Sequence, residues 1–199
     1  MKSSSTSSVK KIVIFASGTG TNAENIIRYF RQNENVEVAY VLSNKSIAPV
    51  LEKAEKLGVK NRAFNKAAFY ETGEIAELLK QTSPDLIVLA GFLWLLPTEI
   101  LKMFPEKIIN IHPALLPKYG GKGMFGSRVH EAVLKNKEAK SGISIHYVNE
   151  KYDEGKMIAQ FETEISLNDS AEEIAAKIHE LEQEHFPKVI EKILFPKKQ

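Results

Sequence analysis

Lys11-Ile12-Val13-Ile14-Phe15-Ala16 runs directly into Ser17-Gly18-Thr19-Gly20-Thr21-Asn22-Ala23. A continuous apolar run of that length suits a strand covered on both faces, as in a parallel sheet. The glycines then turn the chain into a helix. Thr21 and Glu24 read as its capping box, and Ile26, Ile27 and Phe30 as its apolar face. Strand, glycine turn and helix make the opening of a crossover unit, the building block of α/β folds.

The same rhythm continues outward from this start. Val36 to Leu42 reads as a second strand, and Pro49 to Leu57 as a helix closed by Gly58. Ile75, Leu78 and Leu79 mark another helix, while Leu86 to Ala90 and Ile108 to Ile111 are two further buried strands. After Pro113 a loop of about thirteen residues, rich in glycine and proline, has the length at which functional loops become common. Val129 to Leu134 fits a short helix. Gly142 to Val148 alternates, Ile143, Ile145 and Tyr147 against Ser144 and His146, as a half-buried strand does, with Met157 to Ile165 as its partner. Ser170 and Glu173 open a final helix bearing Ile174, Ile178 and Leu181, which Pro187 is expected to kink or break. The fold expected is a single α/β domain of Rossmann-like kind. It has a mostly parallel sheet flanked by helices, C-terminal antiparallel strands and a long C-terminal helix. The serine-rich stretch Ser3 to Ser8 marks residues 1–10 as a disordered tail ahead of a domain over residues 11–195.

Composition narrows the function classes. The chain has 199 residues, 43% hydrophobic and 26% charged, with a net charge of +2. That suffices for one core and shows no basic excess of the kind that nucleic-acid backbones call for. Without cysteine there is no disulfide, thiol nucleophile or cysteine-bound zinc. His130, His179 and His185 have no spacing that suggests a metal, and no metal is expected. No apolar stretch reaches the length of a membrane span, so the default expectation is a cytoplasmic protein with no membrane or nucleic-acid partner, monomeric or homodimeric.

Two places carry candidate chemistry. The loop from Gly18 to Ala23 lies between strand and helix, where backbone N–H groups cradle an anion such as a phosphate. As spelled it also satisfies a dinucleotide fingerprint, yet the expected acidic residue after the second strand is replaced by Ser43-Asn44-Lys45, which leaves Lys45 for an NADP-type alternative. Asn110 and His112 stand at the carboxyl end of a buried strand, on one side of the sheet by period-2 alternation, where α/β sheets bind ligands. Asn suits an oxyanion donor and His a proton carrier. Asp153, in Tyr152-Asp153-Glu154-Gly155, would favour the charged imidazole if brought beside His112. The Phe92 to Leu96 segment reads equally as core or as a wall for a flat ring.

The run Asn110-Ile111-His112-Pro113-Ala114-Leu115-Leu116-Pro117, followed by Asp153-Glu154-Gly155, resembles the signature of the folate-dependent formyltransferases. With the Gly18 to Asn22 opening, the resemblance extends from Lys11 to Ile193. It points to the branch that takes 10-formyltetrahydrofolate as co-substrate and glycinamide ribonucleotide as acceptor in purine synthesis. It implies that Asn110, His112 and Asp153 are catalytic. It implies further that Gly20, Thr21, Asn22, His179 and Glu182 bind the phosphate and ribose, and that Phe92, Leu93, Trp94, Leu95, Leu96, His146 and Asn149 form the folate pocket. Family members acting on methionyl-tRNA or hydrolysing formyltetrahydrofolate share the Asn–His pair and normally carry an additional domain.

Overall fold

Alternation along β1 (Lys10–Phe15) divides the core into two layers, one on each face of the sheet. Ile12 and Ile14 pack with Ile26 and Phe30 of α1 (Thr21–Phe30) and with Ile178 and Phe186 of the last helix. Val13 and Phe15 point the other way, against Ile75 and Leu79 of α4 (Glu74–Thr82) and Ile100 of α5 (Thr98–Met103). This is the two-sided burial that the opening apolar run predicts. Truncating a fully buried side chain such as Phe15 to alanine would cost about 3–5 kcal/mol. The computed structural model describes residues 8–166 and 168–196. The first seven residues of the expected disordered tail lie outside the described residues, and Lys10 already belongs to β1.

The sheet has seven strands in the order β3-β2-β1-β4-β5-β6-β7. Parallel pairing joins β3 (Asn61–Ala63), β2 (Val36–Ser43), β1, β4 (Leu86–Leu89) and β5 (Ile108–His112). Antiparallel pairing adds β6 (Lys140–Tyr147) and β7 (Met157–Glu164). The remaining helices are α2 (Pro49–Lys56), α3 (Lys66–Tyr70), α6 (Ser127–Lys135) and α7 (Ala171–Leu194). The fold is thus Rossmann-like, with antiparallel strands at its C-terminal side and a long last helix, as expected. The connection after β1 leaves toward β2 and the one after β4 toward β5, so the crevice between β1 and β4 is the topological switch point.

Three local expectations are corrected. Thr21 is the first helical residue and caps nothing; the N-cap is Gly20 at φ 71°. A Cβ at Gly20 would overlap the Val50 side chain, so the left-handed turn and the close approach both demand glycine. Glu24 instead pairs with Arg28 and Lys53. Pro187 does not break α7, whose helical span continues to Leu194. Its ring removes the N–H that would bond the Gln183 carbonyl, and Asn25 Nδ2 donates to that carbonyl at 2.9 Å instead. Finally β6 is buried on both faces, because Ser144 and His146 carry hydrogen bonds that allow polar groups inside.

Candidate active site

The carboxyl ends of β1, β4 and β5 open into one cavity of about 850 Å³. At one end lies the glycine loop. At the other, Phe92 and Trp94 form an apolar wall backed by packed aromatic rings, with Phe69 5.9 Å and Tyr70 5.8 Å from Trp94. Ser17 joins the two ends: its Oγ accepts from Leu93 N at 3.1 Å, and its own N–H donates to the Gly91 carbonyl. Tyr70 Oη donates to the Leu95 carbonyl, fixing the far side of the wall. Gly20, Thr21, Asn22, His179, Glu182 and Leu93 to Leu96 all line this space.

Asn110 and His112 project from the end of β5 as alternation requires, and Asp153 meets them across 41 or more residues of chain. Asp153 Oδ2 lies 3.5 Å from His112 Nδ1 and accepts from Gly121 N at 2.9 Å. Its Oδ1 accepts from Asn110 Nδ2 at 3.4 Å. The turn that delivers it is built for the purpose: Asp153 sits at φ 56°, a region Asp tolerates better than most residues. A Cβ on Gly155 would overlap the Tyr147 carbonyl.

His112 faces two acceptors. Its Nε2 donates to the Tyr119 carbonyl at 2.7 Å while Nδ1 looks at Asp153. Burial nevertheless pulls the imidazole below its ordinary value, outweighing the Asp153 charge and the Tyr119 bond. Asp153 favours the charged imidazole, as expected, but burial acts on the ring more strongly. Burial also raises the Asp153 carboxyl, but contacts from His146, His112 and Gly121 more than offset it and hold the group below the ordinary carboxylate range. The resting pair is carboxylate and neutral imidazole, with room for one more proton between them.

His146 belongs to this knot rather than to the apolar wall. Its Nδ1 donates to the Tyr147 carbonyl at 2.9 Å, and its Nε2 lies 3.2 Å from Asn110 Nδ2 and 3.5 Å from Asp153 Oδ1. The Asn110 amide is thereby oriented, nitrogen toward His146 and Asp153. Asn149 does not line the cavity; its side chain accepts from Lys151 N, and Val148, Lys151 and Tyr152 stand in the wall instead. At the glycine-loop end, Asn22 Nδ2 and His179 Nδ1 both point at Glu182 Oε2, at 2.9 and 3.3 Å. The bond to Glu182 lifts the His179 imidazole above its ordinary value.

The stretch 119–128, from which no site residue was expected, also contributes. Tyr119 and Gly121 hold His112 and Asp153 through backbone groups, and Met124 and Phe125 line the cavity. Backbone contacts of this kind leave no side-chain signal in a sequence. Ser144, directly opposite His112 in the β5–β6 register, pins the start of that loop. Its Oγ donates to the Ala114 carbonyl at 2.6 Å and accepts from Leu116 N and Gln160 Nε2.

A family model described as formyl transferase matches residues 10–190. The chain belongs to the formyl transferase family. Among formyl transferase relatives it is 38% identical over 193 residues to phosphoribosylglycinamide formyltransferase of Bacillus subtilis, covering 94% of this chain and 95% of that one. It is likewise 38% identical to the chloroplastic phosphoribosylglycinamide formyltransferase of Arabidopsis thaliana, covering 88% of this chain. The chain spans 62% of that plant relative's length and 60% of the Vigna unguiculata one. Among solved structures, phosphoribosylglycinamide formyltransferase from Bacillus halodurans superposes with a TM-score of 0.84 at 32% identity, covering 95% of this chain and 97% of that one. These formyl transferase neighbours leave the dinucleotide alternative for Gly18, Gly20, Ala23 and Lys45 without support. Among the described residues no group of acidic, His or Cys side chains is arranged to hold a metal, and no helix is long and apolar enough to cross a membrane.

Proposed function

We propose that the protein transfers the formyl group of 10-formyltetrahydrofolate to the amine of glycinamide ribonucleotide in purine biosynthesis. The observation that carries this reading is the Asn110–His112–Asp153 knot opening into one cavity with the glycine loop and the aromatic wall. The backbone N–H groups of Gly20, Thr21 and Asn22 bind the phosphate at the helix N-terminus, Glu182 binds the ribose, and His179 adds a partial positive charge beside them. Phe92 to Leu96 take the flat ring of the folate. The names of the relatives, phosphoribosylglycinamide formyltransferase, support the same pair of substrates.

Chemistry follows from the resting protonation. The acceptor's amine lone pair forms a bond to the formyl carbon, and the carbonyl electrons move onto oxygen. One N–H of Asn110, released from its long resting contact with Asp153, donates to that oxyanion, an effect worth about 3–4 kcal/mol for one donor in comparable sites. The proton released by the amine passes through a water to His112, which Asp153 and the Tyr119 carbonyl stabilise as imidazolium. His112 becomes a charged donor at the moment the tetrahedral intermediate carries its negative charge. The oxyanion electrons then re-form the carbonyl, the bond to the folate nitrogen breaks, and that nitrogen takes the proton back from His112 through the water.

The deciding assay mixes the purified protein with both substrates and follows folate release by absorbance. Release that depends on the ribonucleotide supports the transfer. Release without it means hydrolysis of the formyl group, and no release removes the proposal.

A further inference from the structure

His130 is a buried group that the reaction above leaves unused. It stands on α6, which packs against α7, is 7% exposed, and lines the cavity. His112 and Glu182 line the same cavity. Its Nδ1 is sealed from solvent and has no hydrogen-bond partner among the described residues. Burial, the largest influence, holds the ring below its ordinary imidazole value, so it carries one proton near neutral pH. Placed on Nδ1, that proton would be a buried donor without an acceptor, the rarest kind of unsatisfied group. Placed on Nε2, it lies on the ring edge left to reach the cavity and is drawn there by the Glu182 carboxylate.

Glu182 presents the complementary atom. Its Oε2 is occupied by Asn22 Nδ2 and His179 Nδ1, whereas Oε1 has no hydrogen bond among the described residues. A neutral N–H donor and a free carboxylate oxygen lining one cavity match a hydroxyl group, which accepts from one and donates to the other. A phosphate would match the donor and be repelled by the carboxylate.

We propose that His130 is a substrate-positioning residue whose Nε2–H donates to a ribose hydroxyl of the nucleotide acceptor, so that His130 and Glu182 together read the sugar as ribose. This rests on the reading of the cavity as the site of a ribonucleotide amine. The wild-type protein should bind glycinamide ribonucleotide more tightly than its 2′-deoxy or its 3′-deoxy counterpart. His130→Ala should weaken the ribonucleotide about five- to tenfold, the worth of one neutral hydrogen bond. It should leave the affinity of one of the deoxy compounds within about twofold of wild type. His130→Gln, which keeps an N–H donor, should recover most of the loss.

In steady state the effect should fall on KM for the ribonucleotide, with kcat and the KM of the folate within about threefold. Titration calorimetry with all three compounds, steady-state kinetics and a melting curve for each variant read all of this. An equal loss for ribonucleotide and both deoxy compounds overturns the proposal, as does a fall in kcat at unchanged KM. Should His130→Ala fail to fold, His130→Gln and the wild-type preference for ribose carry the test. Equal wild-type affinity for the ribo and deoxy compounds overturns it without any variant. If glycinamide ribonucleotide is not a ligand at all, the substrate assignment fails separately. Ribose 5-phosphate against 2-deoxy- and 3-deoxyribose 5-phosphate then serves as the probe, and equal binding of all three ends the proposal.

Discussion

Asn22 Nδ2 donates to Glu182 Oε2 at 2.9 Å, joining α1 to α7 across 160 residues of sequence. The contact fixes the carboxylate at the glycine-loop end of the cavity, while the Asn22 side-chain oxygen is buried and has no partner among the described residues. Replacing Asn22 with Asp puts two carboxylates against one another in a half-dry site. Asn22→Asp is expected to lose about 1–3 kcal/mol of stability and more than tenfold in ribonucleotide affinity. Denaturant unfolding and calorimetry check this; unchanged affinity would show that Glu182 needs no such orientation.

Asp153→Asn is the cleaner test of the proton path. Asn tolerates the left-handed backbone that Asp153 occupies and keeps an acceptor for Gly121 N–H, so the turn should survive. Turnover should fall about 10²- to 10⁴-fold, the range of a lost acid–base partner, with a melting temperature close to wild type. Full turnover in this variant would sink the role given to the carboxylate.

Stability should decline in mild acid. The His112 imidazole is depressed below its ordinary 6.5 by burial, so the unfolded chain takes up that proton first. Its contribution is complete above about pH 6.5 and is lost as pH falls through the native value. Asp153, whose native carboxyl also lies low, acts in the same sense at lower pH: its share is complete above the ordinary 3.8 and lost below it. His179, raised by Glu182, acts in the opposite sense, and with its side chain 43% exposed its share is small. Melting curves from pH 7.5 to 5.5 should therefore drop less steeply for His112→Gln than for wild type. The profile of kcat/KM should carry an acid limb below 6.5 belonging to His112.

Ser144→Ala removes one hydroxyl and orphans the Leu116 N–H, the Ala114 carbonyl and one Gln160 contact. A loss of about 1–3 kcal/mol is expected, together with faster amide exchange over residues 114–121. A variant with native exchange there would mean that the loop is held by its other contacts alone.

Much of this was legible because burial on both faces writes itself as unbroken apolar runs, as in β1, β4 and β5. Asn110 and His112 stood out as polar exceptions at a strand end. The short elements β3, α3 and α5 carry too few residues for a period to show. Asp153 looked like any surface turn, since only the tertiary fold brings it to His112. The cap at Gly20 and the persistence of α7 past Pro187 depend on Val50 and Asn25, partners remote in sequence. The glycine stretch after Leu116 works through main-chain atoms, which residue identity does not reveal.

The two flanks of the sheet have a colloidal consequence. On one side β3 offers only three residues, too few to template another strand. On the other, β7 is long, but of its exposed positions, Met157, Gln160, Glu162 and Glu164, the last two are acidic, so copies approaching edge to edge would bring like charges together. Fibrillar stacking through the sheet is disfavoured from both sides, and the folded protein should tolerate crowding at high concentration without growing ribbons.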